Sequence, residues 1–432
     1  MHDLSGSGAT LLPLENPASP SSAPFMWGVA SAAHQIDGNN VGSDYWLLEH
    51  LEPTSFVEPS GDACDSWQRW REDIALVRGL HCNAYRFSIE WARVEPEPGR
   101  FSTAVLAHYR AQCMALREVG IAPVVTLHHF TSPRWLAGRG GWEWDGTPAA
   151  FERYALRVME ALEDLPGAVC TLNEPNAQVN SYVLRGLKPA YGEDAIVEAA
   201  RKALGSASFG SYFMGDALRV RDVCIETHCR VVGAVERAAP GVPCGLTLAL
   251  QAWEPSEDGD DLYRRLFDTA RRPFYEAVRG DAFLGVQPYN RFRIGPAGFL
   301  PARPGVPTDR WGHEAPPDVL EAALREAHRE TATPLMITEH GINTDDDAQR
   351  LQHLAASLPG IARCQADGIP VLGYFHWSLL DNFEWRSGYA QKFGLYAVDR
   401  QTFARTPKPS AASFAALVAQ QRATCSTPKE TH

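Results

Sequence analysis

Short apolar runs recur along the chain, and the intervals between them carry helical patterns. Eight runs read as strands: 25–31 (FMWGVAS), 84–91 (AYRFSIEW), 122–130 (APVVTLHHF), 169–174 (VCTLNE), 244–250 (CGLTLAL), 281–289 (DAFLGVQPY), 334–339 (PLMITE) and 371–378 (VLGYFHWS). Most are apolar without alternation, as expected of strands covered on both faces. Between the first two, Trp67, Trp70, Ile74 and Val77 follow the helical period. Thr147 and Pro148 predict the N-cap and first position of a helix with Phe151, Ala155, Val158 and Leu162 on one face. Asp345, Asp346 and Asp347 after Thr344 suit the positive start of another helix. Gly120 and Gly368 fall where helices must end, and Ser410 predicts the cap of a last helix carrying Phe414 and Leu417.

Eight strand–helix units in alternation predict an α/β fold closed into a (β/α)8 TIM barrel. An open doubly wound sheet shares that periodicity, but no Gly-rich phosphate loop follows the first strand. The stretches 176–243 and 290–318 read as long functional loops. No linker interrupts 25–420, so the expected organisation is a flexible arm (1–24), one catalytic barrel domain (25–420) and a short tail (421–432).

Charge narrows the partners. The 52 acidic residues exceed the 40 basic ones, and no basic run exists, which argues against nucleic acid or an anionic membrane. No apolar stretch is long enough to span a bilayer. Nine cysteines are odd in number, scattered, and without a C-x-x-C, so they read as reduced thiols in a cytoplasmic protein. Residues 1–24 lack the basic start and apolar core of a signal peptide. His81-Cys82 and His228-Cys229 do not supply the paired spacing of structural zinc, and His128 and His129 are adjacent on a strand and face opposite ways. No metal or other cofactor is expected.

Polar residues collect at the C-terminal ends of the apolar runs: Arg86, His128, His129, Asn173, Glu174, Gln287, Tyr289, Glu339, His376 and Glu384. In a barrel, active sites are built at that end. Glu174 and Glu339 close strands four and seven. A lone glutamate there could be a buried ion pair with an arginine such as Arg86. Two carboxylates across one barrel mouth suit acid–base work on an acetal, which needs a proton donor on the leaving oxygen and an anion on the opposite face of the sugar. The chain has 12 Trp, and Trp135, Trp142, Trp144, Trp377 and Trp385 lie near strand ends, where flat rings can face sugar rings.

The ordered motifs FMWGVASAAHQIDG, YRFSIEW, TLHHF, TLNEP, ITEHG, HWSLLDNFEW, GYAQKFGLYAVD and RTPKPSA resemble glycoside hydrolase family 1, the β-glucosidase-like enzymes, from about Phe25 to Leu417. The resemblance implies a retaining double displacement on a small-molecule β-glycoside. It implies that Glu174 is the acid/base and Glu339 the nucleophile, held by Arg86 and Tyr289. It also implies that Gln35, His129, Asn173 and Glu384 bond the sugar and that Trp377 and Trp385 form an aromatic wall. Two unit charges about 5 Å apart at an effective dielectric near 20 repel by roughly 3 kcal/mol, about two pKa units. Glu174 is therefore expected protonated and Glu339 ionised.

Departures from the family pattern fall in four places. Asp37 replaces a Glu that supports the site, and His340 follows the nucleophile in place of Asn, where it packs or tunes the site. Gln287-Pro288-Tyr289 replaces N-Y-Y, and Ala249 replaces an Asn and is expected to alter the substrate entrance. Family members acting on 6-phosphoglycosides usually lack the glutamate at 384, so an unphosphorylated glycoside, most simply a β-glucoside, is expected. Transglycosylation through the same intermediate and an inactive sugar-binding barrel are the alternatives.

Overall fold

The computed structural model describes Leu14, residues 24–185 and residues 193–425. Eight parallel strands close a barrel: β1 (Met26–Ala30), β2 (Ala84–Ser88), β3 (Ala122–His128), β4 (Ala168–Asn173), β5 (Cys244–Ala249), β6 (Phe283–Gln287), β7 (Leu335–His340) and β8 (Val371–Trp377). Each pairs with its sequence neighbours, and β8 returns to β1 with Met26 opposite Gly373 and Ala30 opposite Trp377. The interior is filled by small and medium side chains, among them Ala30, Ala84, Val124, Ala168, Cys170 and Met336, capped by Phe283 and Phe375. Such a barrel is a packed core, and its open end is left to the residues after each strand.

The surrounding helices form where the sequence offers a buried stripe. Ser66–Gly79 buries Trp70, Asp73, Ile74 and Val77. Thr103–Glu118 buries Leu106, Tyr109, Cys113 and Leu116, and the Ser102 hydroxyl accepts from Val105 N at its start. Asp346 caps Asp347–Ser357 by accepting from Ala348 N. Gly120 and Gly368 take left-handed φ values of 75° and 83° just past helix ends, where L side chains are disfavoured.

Several expectations are corrected. The second run ends as a strand at Ser88; Glu90 accepts from Ala92 N and starts the short helix Trp91–Val94, so Trp91 turns into the core beside Tyr154. The run at 281–289 is a strand only over Phe283–Gln287. Gly146, not Thr147, is the N-cap of Thr147–Leu162, because the Thr147 hydroxyl donates to Gly141 O instead. Ser410 lies inside Pro409–Cys425 and donates to Asp347 Oδ1 at 2.7 Å, tying that helix to its neighbour. The stretch 176–243 contains the helices Asn176–Leu184, Glu193–Leu204 and Ala217–Ala238. In 290–318, strands Arg291–Gly295 and Gly298–Leu300 join Ala252–Pro255 in a small sheet. The small sheet is mostly half-buried and shows no clear apolar pattern, whereas Ala217–Ala238 buries Val220, Val223, Val231 and Val235 on one face, a helical period that the loop reading passed over.

The last helix runs through the expected start of the tail to Cys425. The rest of the tail and the arm other than Leu14 and Pro24 lie outside the described residues. Leu14 itself is buried and donates its N–H to Gln421 Oε1. Among the described residues no helix is long and apolar enough to cross a membrane.

Candidate active site

The strand ends deliver Glu174 and Glu339 into one pocket of about 290 Å³, together with His129, Asn173, Tyr289, Trp377, Glu384 and Trp385. Glu339 is the better braced of the two acids. Its Oε1 accepts from Arg86 Nη1 at 2.6 Å and its Oε2 accepts from the Tyr289 hydroxyl at 2.6 Å. Arg86 is fully buried, and its other terminal nitrogen donates to Asn173 Oδ1 at 2.6 Å. That oxygen also accepts from Gln287 Nε2 at 2.9 Å and from the Thr247 hydroxyl at 3.1 Å. With three donors on the oxygen, the Asn173 amide has one orientation, and its nitrogen faces His129 Nε2 at 3.2 Å.

These contacts set the charges apart. Burial lifts both carboxyls above the ordinary glutamate value. At Glu339 the Arg86 charge and the Tyr289 hydrogen bond oppose that lift. At Glu174 the neighbouring Glu339 charge adds to it, so the Glu174 carboxyl sits well above the usual range. Burial pushes Glu384 up to about 8, so much of its charge is absent in the empty pocket at neutral pH. Burial holds His129 neutral, with the Arg86 charge acting in the same direction.

Three non-glycine residues of the pocket wall have left-handed backbones: Phe130 (φ 74°), Glu174 (φ 47°) and Trp385 (φ 53°). Such conformations cost on the order of 1–3 kcal/mol each and concentrate at functional sites. Glu174 is fixed in its turn by N–H donation to Thr247 O at 3.0 Å, just past the end of β4. Gly341, after β7, is demanded by close approach: a Cβ there would meet Trp377 O at 2.2 Å.

The His129 ring lies 5.7 Å from Trp377 and 6.0 Å from Trp385, near parallel to both. Gln35 Oε1, His129 Nδ1 and Glu384 Oε1 are buried polar atoms without partners. Buried polar atoms are nearly always paired, so these three atoms stand out as unused hydrogen-bonding capacity. Gln35 is not among the residues that line this pocket, and its amide nitrogen donates to Phe383 O at 2.8 Å.

Other candidates fall outside. His128 points away from the pocket, bonded to the Ser132 hydroxyl and packed on Trp142 and Tyr212. His376 packs against Phe414 on the outer face. Trp135 and Trp142 spend their indole N–H groups on Glu95 O and the Ser132 hydroxyl. His340 packs: it bonds the Tyr374 hydroxyl and His353 behind the strand. Ala249 is not at the entrance; its backbone is bonded on both sides by the Asn176 side chain. Asp37 lies in a separate cavity of about 20 Å³ under Trp70 and Tyr109. Gln287 has a defined use, as a donor to Asn173.

The pocket also contains Phe130 and Phe393, which lie within quoted motifs but were given no role, and Gln251, Asn290, Phe292, Trp311 and His313, which lie outside every motif. Trp311 and His313 stand in a polar stretch, DRWGHE, where an aromatic without an apolar period was the available signal.

A sequence profile described as Glycosyl hydrolase family 1 matches residues 20–276 and 299–423. The chain is 32% identical to a beta-glucosidase of Agrobacterium sp., over 91% of this chain and 94% of that protein. It is 31% identical to the thermostable beta-glucosidase B of Thermobispora bispora, over 90% and 88%. In structure it is similar to the beta-glycosidase BGL167, with a TM-score of 0.88 at 44% identity over 96% of this chain and 99% of that one.

Proposed function

The chain belongs to glycosyl hydrolase family 1, and from that premise we propose that it hydrolyses terminal, unphosphorylated β-D-glucosides with retention of configuration. One observation carries the reading. Glu174 and Glu339 share a pocket, and Glu339 there takes hydrogen bonds from both Tyr289 in the lining and Arg86 buried beneath it. That division makes Glu339 the anion and leaves Glu174 the proton.

In the first step a Glu339 oxygen attacks the anomeric carbon. The glycosidic C–O bond breaks, and Glu174 gives its proton to the departing oxygen. With Glu339 esterified, its charge no longer raises the Glu174 pKa. In the second step Glu174 takes a proton from water, the water oxygen bonds to the anomeric carbon, and Glu339 leaves as carboxylate. One residue serves as acid and then base because its partner's charge is removed and restored. The Arg86 charge and Tyr289 hydroxyl stabilise the Glu339 carboxylate that must re-form.

Trp377 and Trp385 supply flat apolar faces for the sugar, and Gln35, His129, Asn173 and Glu384 supply hydrogen bonds to its hydroxyls, three of them through buried atoms that lack a partner within the protein. No Lys or Arg lines the pocket among the described residues, whereas Glu174, Glu339 and Glu384 do. That supports a neutral sugar over a 6-phosphate. The eight described cysteines are free, which supports the expected cytoplasmic location; recovery in the periplasmic or secreted fraction of the source cells would contradict it. Proton NMR of the first sugar released from a β-glucoside tests the mechanism: retention predicts β-glucose before mutarotation, and α-glucose would reject it.

A further inference from the structure

An unbroken series of ring contacts leaves the catalytic centre. Tyr289, which bonds Glu339, meets Phe393 at 5.8 Å; Phe393 meets Trp311 at 5.7 Å. Trp311 meets His313 at 6.2 Å, His313 meets Phe292 at 4.9 Å, and Phe292 stacks on Phe299 at 4.4 Å with planes 14° apart. The series passes through buried Phe393, at 5% exposure, and comes to the surface at Trp311, at 43%, and at Phe299, at 42%. Those two are the exposed large aromatic side chains among the described residues, and both stand on this side of the pocket mouth. Single exposed apolar side chains need no explanation, but a connected aromatic surface opening from an active site does.

Hydrogen-bonding capacity on this side is small. Asn290 donates its amide to Asp309 Oδ2 at 3.0 Å. Asp309 Oδ1 is in turn taken by the backbone N–H groups of Trp311 and His313, each at 2.9 Å. Gln251 and His313 remain as polar side chains at the mouth among the described residues. A second pyranose presents several hydroxyls whose water must be replaced, and unpaired hydroxyls at a binding surface cost affinity. A flat apolar ring loses little water and gains face-to-face or edge-to-face contact with Trp and Phe.

We propose that the leaving-group side of this pocket is built for a flat aryl aglycone rather than a second sugar. The inference rests on the β-glucosidase reading above and names the substrate class within it. The sugar is held at the polar inner end, and its β-linked aryl group lies along the wall formed by Trp311, Phe292 and Phe299.

Leaving-group reactivity must not enter the test, so equilibrium binding of S-linked compounds is the measurement. Dissociation constants are compared for phenyl 1-thio-β-glucoside, 2-naphthyl 1-thio-β-glucoside and thiocellobiose. The aryl compounds should bind about tenfold or more tightly than thiocellobiose, with naphthyl the tightest. Trp311→Ala should cut that ratio several-fold, and Trp311→Phe should restore most of it. Thiocellobiose binding as tightly as the phenyl compound, or a ratio unmoved by Trp311→Ala, would overturn the proposal. Turnover of β-glucosyl fluoride, which has no aglycone ring, is measured in parallel. Its absence would remove the glucosidase reading itself, and this inference with it.

Discussion

Tyr289 donates its hydroxyl to Glu339 Oε2 at 2.6 Å, on the oxygen that Arg86 does not hold. A hydrogen bond to a charged group contributes roughly 1.5–3 kcal/mol, about a 10- to 100-fold effect. Tyr289→Phe should therefore lower kcat/KM on a β-glucoside within that range. The lost bond favoured the ionised form, so the Glu339 pKa should rise and the acid limb of the pH–rate profile should move to higher pH. An unmoved acid limb would separate Tyr289 from the charge of Glu339.

In the proposed mechanism Glu174 carries a proton for the first step, and burial beside Glu339 holds its carboxyl well above the usual range. Activity should fall as pH rises through that value. Glu174→Ala should remove this basic limb and slow substrates with poor leaving groups by about 10²- to 10⁴-fold. Glycosylation by a dinitrophenyl β-glucoside should be far less affected. Equal losses on good and poor leaving groups would contradict the role.

Asp37 offers a test of stability apart from activity. Burial raises its pKa from the ordinary 3.8 to about 7, with Glu90 and Asp73 adding to the lift and Arg93 and His34 opposing it, and its Oδ2 has no partner. The folded state thus holds this proton more tightly than the unfolded state. The protonated carboxyl's contribution is complete below the unfolded value of 3.8 and is lost as pH rises towards 7. Asp37→Asn should remove that loss, so its Tm relative to the parent should improve between about pH 4 and about pH 8. A difference that does not change with pH would refute the assignment.

The absence of Lys and Arg from the described pocket lining bears on substrate charge. A nitrophenyl β-glucoside should be preferred over its 6-phosphate by at least about 100-fold in kcat/KM, since a desolvated, unpaired phosphate is costly to bury. Preference for the phosphate would contradict this and require a cation that reaches the sugar's O6 rather than Glu339.

Much of this organisation was legible in the residues. The eight barrel strands stood out because strands buried on both faces are continuous apolar runs, and the polar residues that end them, Glu174 and Glu339 above all, break those runs abruptly. Orientation was less legible. His128 and His129, or Glu339 and His340, are consecutive, and only the strand's alternation sends one into the pocket and the other into the outer layer. Helix starts failed where a hydroxyl had a tertiary partner, as at Thr147 and Ser410. The mouth was least legible, because Phe292 and Phe299 pack on each other within a small sheet, Trp311 joins them only through His313, and none follows a period of its own.

The division of labour between the two glutamates is tested most directly by trapping. The enzyme is incubated with 2,4-dinitrophenyl 2-deoxy-2-fluoro-β-glucoside, whose fluorine slows release, and the digested protein is mapped by mass spectrometry. One fluoroglucosyl group per chain, carried on Glu339, is the predicted result. Attachment to Glu174 or another residue, or inactivation without any covalent sugar, would contradict it.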